Sequence, residues 1–502
     1  THALKTITVK GEKSAGNGDV IEYKPGGKIT YTDVIAYTPD MEMSKLTITG
    51  KGSKGKKEEI IDPTDIADAT IITPLRIQNE DIALIGADAF QRVTEEVFSA
   101  QINFAKGKSN VTSSEMKQED IKALGTFLAE AQTNAKVSPK KINLVSYASP
   151  EGEVAKNQDL SGDRAKTAQD ALMSFAKGKK VGNVQAQSAD VYAQMPKGED
   201  WDGFKADLMK VDDKKISADE KDRLVRIVEM TSDKTEREKQ IQNLAATYKT
   251  IEKEILPKLR RSKINVVYDL TGYSDEELKA ISKMKPDSLT VEELLFTATL
   301  TDDLEEKLRL YKEVEKIYPN DWRGSNNVGY IYFVQNKLGD AKSQFEKSNG
   351  IQENPFSLNN LGIIARINGD RAGAKELLAR AGEAGSDVNK NIAIIDILEG
   401  NYEAAVGKFG SDASFNKALA QLLAGNAEAA KSTLNASDAK ETAMGYYLAA
   451  VIAARQGNEN ETGSNLKSAF GKDASLKATA KKDAEFIKFT KVEGSGIAVL
   501  LK

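Results

Sequence analysis

Leu160, Ser161 and Arg164 have the types and the spacing that a small anion-binding site needs. A helix that begins near Leu160 directs its unpaired backbone amide groups toward the preceding turn, and such groups favour an anion. Ser161 can cap this helix, and Arg164 in its first turn can make a bidentate pair with a carboxylate. These residues predict a pocket for a peptide carboxylate. A second interpretation is open, in which Arg164 only anchors the turn to the helix.

Composition limits any catalytic chemistry of this 502-residue chain to carboxylates, Lys, Tyr, Ser or Arg. The chain has no cysteine, which excludes disulfides, cysteine-ligated metals and thiol catalysis. His2 is the only histidine, so histidine triads and histidine-rich metal sites are nearly excluded as well. Lys and Arg total 71 against 75 for Asp and Glu, and this net charge of −4 argues against a globally basic nucleic-acid binder. We predict a non-enzymatic protein without a metal, a cofactor or a nucleic-acid partner.

The amino-terminal residues 1–85 are predicted to form a β-rich region. Residues with high strand propensity cluster at 19–23, 30–32 and 46–49 without a helical period. The glycine-rich stretch 50–55 matches a dinucleotide-binding pattern, but no long helix follows it. A β-hairpin loop is therefore the favoured interpretation of these glycines.

Strand and helix patterns alternate over residues 86–275. Apolar strands are predicted at 98–104, 142–145 and 263–268, and the helix that opens at Leu160 follows the second of them. A charged helical insert at about 188–256 separates the last strand from the others. This order predicts an α/β sandwich with a helical insert, within an α+β multidomain chain.

Residues 285–490 are predicted to form helical repeats. Gly329, Ala341 and Phe345 recur as Gly362, Ala374 and Leu378, each 33 residues later (362 − 329, 374 − 341, 378 − 345). The small residues expected on the second helix of each repeat are Ala341, Ala374, Ala405, Ala430 and Thr462. The pattern resembles the tetratricopeptide repeat, in which small residues lie where paired helices cross. Stacked repeats of this kind leave a concave groove, which predicts a protein partner; an irregular helical bundle is the alternative.

The sequences INLVSYASPEG at 142–152 and NQDLSGDRA at 157–165 resemble the carboxy-terminal domain of the outer-membrane protein A family. In that family an Arg and an Asp hold the diaminopimelate of peptidoglycan stem peptides. Arg164 matches the Arg, Ser149 stands at the position of the Asp, and Glu151 is the carboxylate that could replace it. The resemblance implies a ligand-binding set of Tyr147, Ser149, Glu151, Asn157, Ser161 and Arg164.

The order of the three regions resembles a group of outer-membrane-associated lipoproteins of the Bacteroidota. The segments that carry this resemblance are 17–24, 87–92, 147–152, 201–204 and 255–262. It implies export, a location at the outer membrane in the cell envelope, and a lipid-bearing cysteine upstream of Thr1.

Together these patterns predict a cell-envelope scaffold. Its α/β domain would dock to peptidoglycan or to a neighbouring envelope protein, and its repeats would bind a protein partner. An alternative is an accessory subunit of an outer-membrane assembly, secretion or nutrient-uptake complex that does not bind peptidoglycan. A carbohydrate-active enzyme or a peptidase would need two carboxylates that converge in a cleft, and the near absence of His and Cys argues against it.

Overall fold

The structure, a computed structural model, describes residues 6–35, 37, 38, 41, 44–68, 70–178 and 185–502. His2 lies outside the described residues. The chain divides into two compact units, one formed by residues 1–86 and 319–502 and the other by residues 87–318.

The amino-terminal residues form two separate strand pairs. Strand β1 (Val9–Gly11) pairs in parallel with β2 (Asp19–Ile21), and β3 (Lys45–Lys54) pairs with β4 (Lys57–Asp68) as an antiparallel hairpin. The hairpin confirms the interpretation of the glycine-rich stretch 50–55. Residues 30–32, predicted as a strand, belong to no strand of the described part. Of the residues described between 6 and 67, none is buried, so this part of the described chain has no core of its own.

The unit of residues 87–318 is built on a four-stranded mixed sheet. Its strands are β5 (Val93–Asn103), β6 (Val137–Ala148), β7 (Tyr192–Glu199) and β8 (Arg261–Thr271), in the order β5-β8-β6-β7. The last strand, β8, lies between β5 and β6 and is antiparallel to both, whereas β7 is parallel to β6. The prediction that a distant strand near 263–268 returns to this domain is therefore confirmed.

Helices α1 (Glu119–Thr133) and α2 (Val154–Gly178) pack on the sheet. They share its core, which includes Ile102, Ile121, Leu124, Leu144, Leu172 and Ile264. The predicted start of α2 at Leu160 is wrong, because the helix begins six residues earlier, at Val154. Its buried stripe opens with three polar residues, Asn157, Ser161 and Arg164, before the first apolar one, Ala165. An apolar period therefore misses its first turns.

The helical insert is shorter than predicted. Residues 192–199 form the edge strand β7, so the insert does not begin at 188. Pro196 and Gly198 hide this strand in the sequence, and an edge strand tolerates both residues. The insert consists of α3 (Trp201–Met209), α4 (Ala218–Met230), α5 (Lys234–Gln242), α6 (Ala245–Glu254) and α7 (Leu256–Leu259). Its helices have their own core around Phe204, Leu224 and Ile251. The unit ends with α8 (Asp275–Met284), α9 (Val291–Thr299) and α10 (Leu304–Ile317).

Residues 319–502 form a series of helix pairs in which each first helix packs on its second. The pairs are α11 (Trp322–Val334) with α12 (Leu338–Ile351), α13 (Pro355–Ile367) with α14 (Arg371–Arg380), α15 (Ser386–Glu399) with α16 (Tyr402–Phe409), α17 (Phe415–Leu423) with α18 (Ala427–Ala436) and α19 (Ala443–Arg455) with α20 (Glu459–Lys472). Three short helices complete the unit, α21 (Leu476–Lys482), α22 (Ala484–Thr490) and α23 (Gly496–Leu501).

The small residues lie where the sequence predicts that paired helices cross. A Cβ atom added at Gly329 would come within 2.8 Å of the Phe345 ring, and one added at Gly362 would come within 2.7 Å of Leu378. Only glycine allows the helices to approach so closely at these positions. The predicted repeat and its tetratricopeptide-like helix crossing are confirmed. Within the described part of the chain, the helices are too short or too polar to cross a membrane.

Candidate peptide-binding groove

Arg164, the centre of the predicted anion site, is used by its own chain. Its side chain is 1% exposed. The guanidinium donates hydrogen bonds to three backbone carbonyls, those of Lys108 (3.0 Å), Tyr147 (2.8 Å) and Ala105 (3.3 Å). Burial, together with the nearby charge of Arg260, lowers the pKa of Arg164 to about 10. The arginine therefore ties helix α2 to the loop that follows β5 and to the end of strand β6, as the anchoring interpretation predicts.

Ser161 and Asn157 also bond within the fold. Because α2 begins at Val154, Ser161 lies inside the helix and does not cap it. Its hydroxyl donates to the carbonyl of Gln158 at 2.7 Å and accepts from the Gly198 amide at 3.0 Å. The Asn157 carboxamide donates to the Glu151 carbonyl at 3.2 Å and to the Glu199 carboxylate at 3.0 Å. The predicted amide-lined pocket near Leu160 is thus absent from this helix.

Glu151 binds basic and hydroxyl groups of its own domain. Its carboxylate accepts from Ser149 at 2.6 Å and from Arg260 at 2.7 and 3.0 Å, and Lys106 lies 2.9 Å from its second oxygen. Burial raises the pKa of the Glu151 carboxyl, but hydrogen bonds from these partners outweigh burial and hold it below its ordinary value. Tyr147 contributes its carbonyl to Arg164, and burial raises the pKa of its phenol.

In the other unit, a different site is formed by the helical repeats and a segment of the same chain. Residues 72–86, here called the strap, begin with a short 3-10 turn at Thr73–Arg76 and continue without pairing in a strand or helix. The strap follows the first helices of successive pairs. The sequence interpretation had placed these residues at the end of the β-rich region.

Four asparagines, here called the ladder, hold the backbone of the strap. In each one the carboxamide oxygen accepts from a strap N–H, and the carboxamide nitrogen donates to the carbonyl of the same strap residue. The pairs are Asn327 with Gly86, Asn360 with Leu84, Asn391 with Ile82 and Asn416 with Gln78, at distances of 2.7–3.0 Å. All four asparagines are at most 1% exposed. Because a carboxamide offers one acceptor and two donors, it matches a peptide unit and needs no particular side chain on it.

A second row of asparagines completes the ladder. Asn326 donates to the Leu84 carbonyl at 3.1 Å, and Asn359 donates to the Ile82 carbonyl at 2.9 Å. These side chains also accept from the ladder, because Asn360 donates to Asn326 at 3.1 Å and Asn391 donates to Asn359 at 2.8 Å. A linked set of buried amides is most favourable when every member is paired, and here the strap backbone supplies the missing partners.

The other end of the strap docks on the last helices. Thr73 is buried, and its hydroxyl donates to Glu485 at 2.7 Å. Glu485 also accepts from Arg455 at 3.1 Å, and the Arg76 guanidinium lies 3.6 Å from Asp483. The strap is therefore held at both of its ends. The ladder contacts its backbone near Gly86, and the last helices contact the side chains of Thr73 and Arg76.

The ladder was not predicted from the sequence, although the sequence contains a signal for it. In the four repeats that carry it, the ladder asparagine lies 14 residues before the small residue of the second helix (341 − 327, 374 − 360, 405 − 391, 430 − 416). In the fifth repeat the same offset from Thr462 falls on Leu448, where the ladder ends. A polar residue at a fixed position of every first helix is the pattern to look for.

The chemistry that the groove offers is the binding of a peptide backbone. Among the described residues, no group of three or more His, Asp or Glu side chains is placed to hold a metal ion. A carboxamide ladder recognises and orients a peptide, and it offers neither a nucleophile nor a general base.

No family model matches the chain, and no curated protein matches it either. Among solved structures it is similar to a tetratricopeptide repeat protein from Parabacteroides merdae, with 16% identity over 42% of this chain and 91% of that one and a TM-score of 0.30. YrrB, a TPR protein with an unusual peptide-binding site, has 19% identity over 42% of this chain and 100% of its own, with a TM-score of 0.25. The APC/C hetero-tetramer Cut9-Hcn1 has 10% identity over 64% and 75%, with a TM-score of 0.35. Since all three TM-scores are below 0.5, the assignment of tetratricopeptide-like repeats rests on the helix pairs and spacings of the chain itself.

Proposed function

We propose that this chain is a non-enzymatic scaffold whose helical repeats hold an extended peptide. The observation that supports this is the ladder, in which four buried asparagines each pair with both polar groups of one strap residue. Such contacts recognise an extended backbone. The strap is the peptide that the groove holds in the free chain, and a partner segment would take the same path.

Because the strap is tethered, it competes with any partner at an effective concentration on the order of millimolar. A test in trans must therefore weaken the strap without changing the groove. Asp81→Ala does this, since Asp81 is buried against Arg366 and removal of one partner of a buried ion pair costs roughly 3–5 kcal/mol. A peptide with the sequence of residues 74–88 supplies the Asp81 carboxylate that the variant lacks.

The experiment is fluorescence anisotropy with that peptide, labelled with fluorescein, and the full chain carrying Asp81→Ala. We expect saturable binding that is lost when Asn360→Ala and Asn391→Ala are added. Asn389→Ala is the matched control, because Asn389 is exposed on the same helix as Asn391. Binding that survives removal of the two ladder residues would refute the function.

We also propose that this scaffold works in the cell envelope, at the outer membrane, with a lipid anchor upstream of Thr1. The support is the resemblance to Bacteroidota lipoproteins over residues 17–24, 87–92 and 255–262. Fractionation of cells with and without an inhibitor of lipoprotein processing tests it. Full-length protein that is released by high salt alone would contradict a lipid anchor.

Docking to peptidoglycan is a separate proposal, which rests on the resemblance at 142–152 and 157–165. The carboxylate that a stem-peptide ammonium would have to reach is that of Glu151, where it would replace Lys106 or Arg260 as the partner. Retention on purified sacculi is the test, with Glu151→Gln as the variant and Glu153→Gln, on the exposed side of the same turn, as its control. If wild type is not retained, or if Glu151→Gln is retained equally, the α/β domain serves another purpose, such as packing in an outer-membrane assembly or transport complex.

A further inference from the structure

The strap makes contacts that depend on its side chains as well as its backbone. Asp81 forms a bidentate ion pair with Arg366, at 2.9 Å to Nε and 2.5 Å to Nη2. The two side chains are 3% and 6% exposed. A planar guanidinium in this position distinguishes a carboxylate from any neutral side chain of similar size.

The residue before Asp81 is recognised by a helix end. The two carboxylate oxygens of Glu80 accept from the backbone N–H groups of Phe415 at 2.8 Å and Asn416 at 2.9 Å, the first residues of α17. These amides have no partner within the helix, and the helix dipole adds to their attraction for an anion. The groove thus provides two adjacent positions for acidic side chains.

The far end of the groove admits only a residue without a side chain. Gly86 is buried, and a Cβ atom there would come within 2.7 Å of Arg323 Cγ and 3.0 Å of the Trp322 ring. Two residues earlier, Leu84 packs against the apolar cluster formed with Leu358 and neighbouring helices. Shape therefore restricts the peptide at two positions beyond the acidic pair.

These side-chain contacts favour discrimination between peptides more than they favour high affinity for any one peptide. A buried ion pair loses hydration that its attraction only partly replaces, and apolar residues in its place are often as stable. Burial raises the pKa of the Asp81 carboxyl, and Arg366 offsets only part of that rise. A tethered strap needs no such discrimination to find its groove. A cavity of about 430 Å³ also lies beside Glu80 and Ile82, next to Lys390 and Asp412, which leaves room along this part of the strap.

We propose that the groove is selective for an extended acidic segment of a partner protein, with the pattern Glu-Asp, an aliphatic residue three positions after the Asp and Gly two positions further. The strap carries this pattern as Glu80, Asp81, Leu84 and Gly86, and so it is a copy of the partner segment held in cis. This inference rests on the proposed peptide-holding function and names the chemical class of its ligand. A partner with the pattern displaces the strap, and a peptide without it does not.

The test uses the full chain carrying Asp81→Ala and labelled peptides of residues 74–88. The parent peptide is compared with versions that carry Asp81→Asn, Glu80→Gln or Gly86→Ala, and with Asn79→Ala as a control at an exposed strap position. We expect at least tenfold weaker binding for each of the first three and no more than a twofold change for the control. The parent peptide should also bind the wild-type chain at least tenfold more weakly than the Asp81→Ala chain.

Two results overturn the inference in different ways. In the first, all the peptides bind equally well, and they lose binding when the chain carries Asn360→Ala and Asn391→Ala. That result would leave the proposed function intact and refute selectivity. No binding of the parent peptide would refute the proposed function, and the inference with it. If Asp81→Ala does not fold, Leu84→Ala in the chain is the second way to weaken the strap, and the same comparisons apply.

Discussion

Asn391→Ala should release the centre of the strap, because its carboxamide pairs with both polar groups of Ile82. The variant removes hydrogen bonds of 2.8 and 3.0 Å to Ile82 and one of 2.8 Å to Asn359. A buried polar group left without a partner costs roughly 1–3 kcal/mol. Only the two bonds to Ile82 join Asn391 to the strap, so at about 1 kcal/mol for each the strap should open about 2 kcal/mol more easily at this point.

Amide hydrogen exchange at Ile82 measures this opening directly, because its N–H is the group that loses its acceptor. Since about 1.4 kcal/mol corresponds to a tenfold change, exchange should become roughly 30-fold faster. Leu84, which is held by Asn360, should change less. Asn389→Ala on the same helix is the control. Equal exchange at Ile82 in the two variants would refute the ladder as the element that holds the strap.

Three further predictions concern other parts of the chain. Hydrogen bonds hold the pKa of Glu151 below its ordinary value of 4.5 despite burial. The ionised carboxylate therefore stabilises the fold above its unfolded pKa, and this stabilisation is lost as the pH falls through the lowered folded pKa. Urea unfolding at a series of acid pH values should show that the free energy of unfolding falls less steeply with pH in Glu151→Gln than in wild type. Arg164→Ala removes three hydrogen bonds to backbone carbonyls, and at about 1 kcal/mol for each it should lower the free energy of unfolding by roughly 3 kcal/mol. An unchanged denaturation midpoint would contradict the anchoring role. Limited trypsin digestion should cut at Lys54, in the hairpin without buried residues, well before Arg76 in the strap; mass spectrometry of the first fragments would show the opposite order if the strap were undocked.

The helical repeats could be predicted because their signals are local. Gly329 and Phe345 lie 16 residues apart, and one helix pair brings them into contact. The recurrence of such pairs at a fixed interval then specifies a stack, since each repeat buries its apolar face only against its neighbours. The sheet strands around Ile102, Leu144 and Ile264 were also predicted, because buried strands are continuously apolar or alternate.

The strap could not be predicted in the same way, because every contact that defines it joins residues far apart in the chain. Gly86 meets Asn327 across 241 residues, and Gln78 meets Asn416 across 338. In sequence the strap resembles a linker, and a buried asparagine resembles a solvated one. The start of α2 was placed too late for a related reason, since the buried polar residues Asn157 and Ser161 interrupt the apolar period.

The docking of the strap is the central claim, and the absence of cysteine from the chain allows a direct measurement of it. Thr73→Cys places a thiol of nearly the same size at a position that is 1% exposed, and Val34→Cys places one at a position that is 94% exposed. A thiol that reacts only through rare opening is slowed in proportion to the free energy of that opening. Reaction with a maleimide should therefore be at least about 100-fold slower at position 73, as expected for docking worth about 3 kcal/mol or more. Equal rates at the two positions would show that the strap does not occupy the groove.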